Sequence, residues 1–528
     1  MVQKVRKFLK DNKIDYLLVN STNEFLVEYS DLSENSRYIL TNFSGSTGDA
    51  VISQGNIFLF VDGRYHEQAD LEVDKKLVTV VKMKSGESFS ALLAEKLSPD
   101  KTFAIVSKKV SQGRYEILKN ALKKKNIEVK LLDFDPVQEG TGNRKQKTEE
   151  IDIEFTGLSS KAKIEKISKK LKSDEAILVT NLEEISYLLN LRDFSTNYSS
   201  KIKSGKYIIS KSGGKFLDEI NIDDNIKTVY VDKNSINAHD YAILGKMAIG
   251  MKKNYIKEMK SVKTKAEIEH YKKSVKRADK AIMATREFIE KSEKLLPISE
   301  YDIEKNLEEN FYKFGAKSLS FKSIVAKGKN SALAHYSNNS KTEILEKGSS
   351  WGSLVLIDCG AYYEGGYATD CTRVFVQGKP SKLQKKVYTA VLKGFLAAFN
   401  KKITEKTTGF ALDKAARKVL QKNAPAGFKF PHALGHGIGI NIHEAPPNLA
   451  FSPMAKTPLK VNMCFTIEPG LYKKGFGGVR LENSCYLAKE KGKLIIKSFS
   501  DMCFEEKLID FNLLTSTEKR QLKSFEIK

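Results

Sequence analysis

Two aspartates in the last third of the chain stand beside apolar, strand-like runs. Asp358 closes the run 354–357, Asp370 lies just before a second run, and the turn-like segment 364–366 separates them. This pattern predicts a β-hairpin with one carboxylate on each strand. An Asp in a buried strand is costly unless its charge is compensated. Either one alone could pair with Arg373 or cap a turn, but two on one hairpin indicate a functional site.

Histidines are concentrated in one short segment further along the chain. His432, His436 and His443 lie close together, although the whole chain has only 7 histidines. A lone buried histidine is usually structural, whereas three in a glycine-rich segment indicate metal binding or proton transfer. Glycine lets the backbone approach a ligand closely. Three glycines stand among these histidines: Gly435, Gly437 and Gly439.

Two glutamates complete the set, since Glu468 follows the apolar run 465–467 and Glu482 shortly precedes another at 486–487. Four carboxylates gathered in one pocket repel one another strongly without cations, and two divalent ions would neutralise them. Ligands that are mostly oxygen with one nitrogen suit Mn²⁺, with Zn²⁺, Co²⁺ or Fe²⁺ as alternatives. The candidate metal ligands are Asp358, Asp370, His436, Glu468 and Glu482.

The cysteines argue against a thiolate-rich zinc site and against a disulfide framework. Cys359 and Cys371 each follow one of the aspartates, and adjacent strand residues point to opposite faces. If the aspartates face the site, these thiols pack away from it. The chain has 5 cysteines, and the first is Cys359. Such usage suits a reducing, cytoplasmic location.

Helix-like and strand-like stretches alternate along the chain before Gly250, which predicts α/β domains. We expect domains at 1–150, 151–253 and 254–528, with a linker at 139–150. The last begins with an amphipathic helix whose apolar residues recur every three or four positions: Ile268, Tyr271, Val275, Ala278 and Ile282. The expected helices are 2–12, 91–97, 114–125 and 160–172, and the expected strands are 16–19, 48–53, 57–61, 176–179, 206–209 and 227–231.

The chain is strongly basic, with 89 Lys and Arg against 65 Asp and Glu in 528 residues and a formal charge of +24. Only 12 of these cations are Arg, the residue that base and phosphate recognition favours. Lys is spread along the whole chain, which predicts a solvated surface and no nucleic-acid partner. No apolar window approaches the roughly 18 residues of a membrane helix, so we expect no membrane association. The N-terminal residues lack the features of a secretory signal.

Together these motifs resemble the pita-bread metallopeptidases, the family of methionine aminopeptidase, prolidase and aminopeptidase P. That family's pattern is an Asp in D-x-G, an Asp in D-x-T-R, a His in G-H-G-x-G, a Glu in E-P-G and a Glu in R-x-E-N. All five motifs occur in order, in the segments 358–360, 370–373, 435–439, 468–470 and 480–483. The resemblance implies a dinuclear metal centre in a C-terminal pita-bread domain.

The spacing of the two aspartates departs from the family pattern. Asp358 and Asp370 are 12 positions apart, one more than the family usually shows. We expect the hairpin turn near 364–366 to accommodate the extra residue, with a bulge as one way to do so. A slipped register would instead turn one carboxylate to the wrong face.

Segments near the N-terminus narrow the resemblance to the three-domain aminopeptidases P. Residues 43–48 resemble G-F-x-G-S, residues 62–69 resemble D-G-R-Y-x-x-Q-A, and residues 187–192 resemble W-L-x-N-x-R-G. The resemblance implies an α/β (α+β) chain, with two creatinase-like α/β domains before the catalytic domain, and a homodimer. It also implies hydrolysis of the N-terminal Xaa-Pro bond of peptides. One alternative is a prolidase, which cleaves Xaa-Pro dipeptides. A non-catalytic binding protein is the less favoured alternative, because such relatives lose metal ligands and all five are present here.

The resemblance also implies a role for each candidate ligand. Asp358 would hold one metal ion, and Asp370 and Glu482 would bridge both ions. His436 and Glu468 would hold the second. A hydroxide bridging the two ions would attack the scissile bond, with Glu468 as the base that receives its proton.

Other residues are expected around the scissile carbonyl. His335, which lies upstream of the metal motifs, would act with His432 and His443 to position the substrate, stabilise the oxyanion and shuttle protons. Arg480 would orient the metal ligands or the substrate terminus. Arg64 could reach the proline pocket from the N-terminal domain, with a salt bridge to Asp62 as the alternative.

Overall fold

The computed structural model describes residues 1–29, 32–84, 86–138, 146–295, 298–336, 338–342 and 352–525. Most of the expected linker, residues 139–145, lies outside the described residues. The chain forms two compact units. The first comprises Met1–Gln146, Ser160–Leu189 and Ile202–Ile256, and the second comprises Lys147–Ser159, Asn190–Lys201 and Lys257–Lys528.

A six-stranded mixed sheet organises the N-terminal part of the first unit. Adjacent residues of its central strand, Leu17 and Leu18, join different apolar clusters, so both faces of the sheet are covered. From edge to edge, the strands are Val78–Lys82, Ile57–Val61, Asp49–Ile52, Tyr16–Val19, Thr102–Val106 and Glu128–Leu132. The helices are Val2–Asp11, Ser36–Thr41, His66–Glu72, Phe89–Lys96 and Gln112–Lys123.

A five-stranded mixed sheet organises the rest of the first unit. Its edge-to-edge order is Gly213–Leu217, Lys206–Ser210, Glu175–Val179, Thr228–Val231 and Ala248–Gly250. Its helices are Ser160–Ser168, Leu182–Leu189 and Ala238–Leu244. The structure confirms every helix and strand predicted for the chain before Gly250, including the hairpin 48–61, with ends that shift by a few positions at most.

Long helices and short sheets make up the second unit. The amphipathic helix is confirmed, since all five of its predicted apolar residues are buried. The helices are Ile153–Thr156, Lys265–Leu295, Glu300–Lys313, Lys382–Phe399, Gly409–Asn423 and Ser516–Leu522, and Tyr255–Ser261 leads into the unit. None of the helices among the described residues is long and apolar enough to cross a membrane.

The strands of the second unit form small antiparallel sheets. One three-stranded sheet has the order Ile324–Lys327, Ser353–Cys359, Cys371–Gln377. A second three-stranded sheet has the order Cys464–Ile467, Asn483–Glu490, Lys493–Ser498. The two-stranded pairs are Ser318–Leu319 with Ala361–Tyr362, Gly435–His436 with Asn448–Leu449, Gly470–Lys473 with Gly477–Arg480, and Glu149–Glu150 with Leu191–Arg192.

Alternation along the strand Ser353–Cys359 sorts its side chains between two cores. Leu354 and Leu356 join the apolar cluster that includes the helix Lys382–Phe399. Val355, Ile357 and Cys359 join the cluster of the helices Lys265–Leu295 and Glu300–Lys313. Both faces of this strand are therefore covered, and the polar Asp358 near its end needs compensation.

A buried ion triad fixes the segment that follows the histidine motif. The Glu444 carboxylate lies 2.5 Å from the Lys263 ammonium and 3.2 Å from that of Lys260, and each of the three side chains is at most 2% exposed. The backbone N–H of Ile440 donates to the same carboxylate at 2.8 Å. Burial alone would raise the pKa of Glu444, but the two ammonium groups outweigh it and lower the pKa to about 2.

We expect Glu444→Gln to destabilise the protein by about 3 kcal/mol at pH 7, because it leaves two buried ammonium groups without their anion. The folded-state pKa is lowered, so the stabilising effect is present above the unfolded pKa of about 4.3 and is lost as the pH falls towards 2. Urea unfolding from pH 7 to pH 3 measures this. The stability gap between wild type and variant should shrink with falling pH. The exposed pair Glu269–Lys272 supplies the control, since Glu269→Gln should change stability by less than about 0.5 kcal/mol.

Candidate metal centre

The two aspartates lie on one face of the predicted hairpin. Ser353–Cys359 and Cys371–Gln377 pair antiparallel, with Asp358 opposite Thr372. Asp370 precedes Thr372 by two positions, so both carboxylates share a face. The same register continues to Tyr362 opposite Ala368, which shows that the extra residue lies in the turn and not in a bulge of the ladder.

Glycine allows this turn to close. The N–H of Gly366 donates to the carbonyl of Tyr363 at 2.8 Å, and Gly366 has a φ of +68°, a left-handed conformation that glycine adopts readily. Cys359 and Cys371 stand opposite each other on the other face and pack into the apolar cluster there. The prediction that these thiols point away from the site is confirmed.

His436 and Glu468 come from neighbouring strand ends. The N–H of His436 donates to the Thr466 hydroxyl at 3.2 Å, and the N–H of Glu468 donates to the Leu434 carbonyl at 2.7 Å. His436 Nδ1 lies 3.0 Å from the Gly437 carbonyl. Because a carbonyl only accepts, Nδ1 carries the proton, and Nε2 is left as a potential ligand.

Glu482 lies between the strands Gly477–Arg480 and Asn483–Glu490. Its N–H donates to the Thr372 carbonyl at 3.2 Å, and its own carbonyl accepts from the Arg373 guanidinium at 2.7 Å. Arg373 therefore holds the backbone of Glu482. Within the described part of the chain, the hydrogen bonds of Arg373 do not go to either aspartate.

These elements bring the candidate ligands into one cluster. His436 Nε2 lies 3.4 Å from Asp370 Oδ2 and 3.6 Å from Glu468 Oε1. Asp370, His436 and Glu482 offer ligand atoms that all lie within 4.8 Å of one another. Oxygen and imidazole donors at such separations can share cations of the Mn²⁺ or Zn²⁺ type.

Two carboxylate oxygens in this cluster lack a hydrogen-bond partner among the described residues. They are Asp358 Oδ1 and Glu482 Oε1, and both are buried. A buried acceptor without a partner is costly, and a bound cation would remove that cost. The donor set and these two oxygens therefore fit a metal centre.

Burial and mutual repulsion raise the pKa of three of the carboxyls. Burial first, and then the charge of the neighbouring Glu482, raise the pKa of Glu468 to about 8. Burial and then the charge of Asp358 raise the pKa of Asp370 well above its usual range. Burial and then Asp370 do the same for the pKa of Glu482. Positive charge at the cluster would favour the ionised forms.

Thr372 and Arg480 connect the ligands to one another. The Thr372 hydroxyl donates to Glu482 Oε2 at 2.7 Å and accepts from Arg480 Nε at 3.1 Å. Arg480 also forms a buried ion pair with Asp358 Oδ2. Arg480 thus contacts the candidate ligand Asp358 directly and the candidate ligand Glu482 through Thr372, and its role in orienting them stays a prediction. Thr372 was missed, although it stands inside the D-x-T-R motif.

Two of the predicted histidines lie beside the cluster. The rings of His443 and His436 are 4.5 Å apart and perpendicular. His432 Nδ1 lies 4.0 Å from Glu468, and its Nε2 lies 2.9 Å from the Tyr472 hydroxyl. That hydroxyl also accepts from Arg480 Nη1 at 2.7 Å. Sequence reasoning missed Tyr472 because no motif marks it.

The two further predicted site residues are His335 and Arg64. His335 lies in a turn, in which the N–H of Tyr336 donates to the Leu333 carbonyl at 3.1 Å. Arg64, in the first unit, forms the predicted alternative, a two-point salt bridge with Asp62 at 2.8 and 2.9 Å. Its role in a proline pocket stays a prediction.

The glycines among the histidines serve packing within the protein. A Cβ at Gly435 would lie 2.1 Å from the Thr466 carbonyl oxygen, and one at Gly437 would lie 2.0 Å from that of Glu444. A Cβ at Gly439 would lie 2.0 Å from the Glu444 carboxylate. These glycines thus allow close packing against the protein's own backbone and ion triad, and the expectation that they let the backbone approach a ligand stays a prediction.

The fold and the cluster of acids and histidine define a metallopeptidase. Residues 269–489 match the model of metallopeptidase family M24. Residues 1–140 and 142–295 match two models of the creatinase/prolidase N-terminal domain. Residues 269–489 therefore form a domain of the metallopeptidase family M24 type, and creatinase-type N-terminal domains precede it.

Similar proteins extend this relationship over nearly the whole chain. Xaa-Pro aminopeptidase 1 of Dictyostelium discoideum is 28% identical over 577 residues, which covers 98% of this chain and 90% of that protein. A probable Xaa-Pro aminopeptidase P of Laccaria bicolor is 28% identical, with 99% and 88% covered. The structure of X-prolyl aminopeptidase from Caenorhabditis elegans has a TM-score of 0.88 at 22% identity, with 99% of this chain and 95% of that one covered.

We expect Thr372→Val to weaken metal binding about 10- to 100-fold, because outer hydrogen bonds hold ligands in place. The substitution keeps the shape of this fully buried side chain but removes the hydroxyl between Glu482 and Arg480. Calorimetric titration of metal-free protein with Mn²⁺ gives the affinity. Thr372→Ser keeps the hydroxyl and should bind nearly as wild type does. Equal affinities for the Val and Ser variants would refute a role for the hydrogen bond.

Proposed function

We propose that the chain is an aminopeptidase that hydrolyses the N-terminal Xaa-Pro bond of peptides with the help of two divalent metal ions. The observation that carries the proposal is the cluster of Asp358, Asp370, His436, Glu468 and Glu482, with two buried carboxylate oxygens left for cations. Relatives named Xaa-Pro aminopeptidase match 98% and 99% of the chain. Their names support the proposed substrate class, and the cluster supports the proposed metal-assisted chemistry.

The proposed ions are two Mn²⁺, because the donor side chains are four carboxylates and a single imidazole, and Zn²⁺, Co²⁺ or Fe²⁺ remain alternatives. Asp358 would hold one ion, Asp370 and Glu482 would bridge both, and His436 and Glu468 would hold the second. The Caenorhabditis elegans enzyme is described as having a di-nuclear active site. When bound, such ions lower the pKa of water towards neutrality and so supply the nucleophile.

Glu468 is proposed as the general base. Its carboxylate is close to His436 and has a pKa raised by burial, and then by Glu482, to about 8. Bound cations would lower this pKa and keep the carboxylate ionised near neutral pH, so that it can accept the proton of the attacking water. His432, 4.0 Å away, can pass a proton onward to the leaving amine. A proline nitrogen is a secondary amine and must leave protonated.

Selectivity for proline requires positioning that does not depend on an amide N–H, which proline lacks. His335, His432 and His443 are proposed to hold the scissile carbonyl and to stabilise its oxyanion. Arg480, anchored between Asp358, Thr372 and Tyr472, is proposed to orient the metal ligands or the substrate terminus. Arg64 is proposed to contribute from the N-terminal domain.

Further proposals concern the state of the protein. We propose a homodimer, which follows from the resemblance to the three-domain aminopeptidases P. We also propose a cytoplasmic location. The five cysteines are all free thiols, which suits a reducing compartment, and the Caenorhabditis elegans enzyme is described as cytosolic. The domains are proposed to be 1–150, 151–253 and 254–528.

A substrate panel tests the activity. With Mn²⁺-loaded protein, we expect hydrolysis of Xaa-Pro-Yaa peptides, little cleavage of Xaa-Pro dipeptides, and none of Met-Ala peptides. Asp370→Asn should lower kcat by at least about 10³-fold, because it removes a charged ligand shared by both ions. Asp501→Asn, at an exposed site, is the matched control. Preferred cleavage of Xaa-Pro dipeptides would indicate a prolidase, and activity retained by Asp370→Asn would exclude the dinuclear mechanism.

A further inference from the structure

Glu300 is a buried carboxylate that the mechanism does not use. It is the first residue of the helix Glu300–Lys313 and is 1% exposed. The helix is capped without it, because Ser299 and Asp302 form a reciprocal capping box. Its side chain is therefore available for contacts outside the helix.

Four hydrogen bonds reach this carboxylate from the segment around His335. Oε1 accepts from the Lys327 N–H at 2.6 Å and from the Asn330 amide at 3.0 Å. Oε2 accepts from the Tyr336 hydroxyl at 2.7 Å and from the Ser340 N–H at 3.0 Å. A carboxylate has about four acceptor sites, so Glu300 is saturated by donors that flank His335 on both sides.

The same segment rests on the hairpin that carries Arg480 and Tyr472. The N–H of Gly478 donates to the Ser331 hydroxyl at 2.8 Å. A Cβ at Gly477 would lie 2.3 Å from the Gly328 carbonyl oxygen, and one at Gly478 would lie 2.3 Å from that of Ser331. The backbones are thus in close contact, and the position of the segment is defined relative to the strand Gly477–Arg480.

We propose that Glu300 is a positioning residue for the peptidase reaction, which sets the His335 turn against the metal centre through four charge-assisted hydrogen bonds. Such bonds are stronger than neutral ones, and their four donors surround the turn. Glu300 touches neither the substrate nor the proposed ions; it acts through His335. The inference rests on the proposed function, in which His335 positions the substrate carbonyl.

Glu300→Gln tests the proposal, because an amide keeps the shape but presents a donor to groups that themselves donate. We expect KM for an Xaa-Pro-Yaa peptide to rise roughly tenfold, with a much smaller change in kcat, since ground-state positioning is lost. Mn²⁺ affinity should stay as in wild type, because no proposed ligand is altered. Glu309→Gln, an exposed change of equal charge on the same helix, should leave KM and kcat unchanged.

A double-mutant cycle separates positioning from a general structural role. If Glu300 acts through His335, the double variant Glu300→Gln with His335→Ala should match His335→Ala alone. If the effects of the two substitutions on KM instead multiply in the double variant, the proposal is overturned. It is also overturned if Glu300→Gln lowers the melting temperature but leaves KM as in wild type. If Glu300→Gln does not fold, Tyr336→Phe and Asn330→Ala each remove one donor and enter the same cycle. Wild-type protein that fails to cleave Xaa-Pro-Yaa peptides would instead refute the proposed function.

Discussion

The crowding of buried carboxylates is the constraint on which the second unit depends. Asp358, Asp370 and Glu482 are all buried, and like charges at short range in a poorly solvated site cannot all ionise without cations. The fold must hold them together against this repulsion. Antiparallel pairing, the buried Arg480 and the Thr372 hydroxyl provide that restraint, and two of the carboxylate oxygens have no hydrogen-bond partner among the described residues.

A single strand shows how the restraint is built. Alternation places Leu354 and Leu356 in one core and Val355 and Ile357 in the other, so the strand cannot shift by one residue without exposing an apolar face. This packing also fixes the side of the sheet to which Asp358, near the end of the strand, points. The apolar contacts on both faces of the strand therefore hold the carboxylate in position.

Much of this organisation could be predicted from local patterns. The hairpin with Asp358 and Asp370, the thiols that point away from the site into the core, and the buried stripe of the long helix follow from alternation and helical period, which are local properties. Thr372 and Tyr472 could not be found in this way. The role of Thr372 depends on a partner far away in the chain, Glu482, and that of Tyr472 depends on a bridging geometry. The close packing of the glycines between the histidines against Thr466 and Glu444 is likewise a tertiary feature that no local pattern marks.

The sequence by itself determined the kind of site, because four carboxylates and an imidazole beside strand-like runs indicate a cation centre, and because their motifs resemble those of the pita-bread metallopeptidases. Tertiary structure decided how that chemistry is supported. It paired Arg480 with Asp358, buried Glu444 between two lysines, and gathered the donors around His335 onto Glu300. Such pairings join residues distant in the chain, and their energies arise only when folding removes both groups from water.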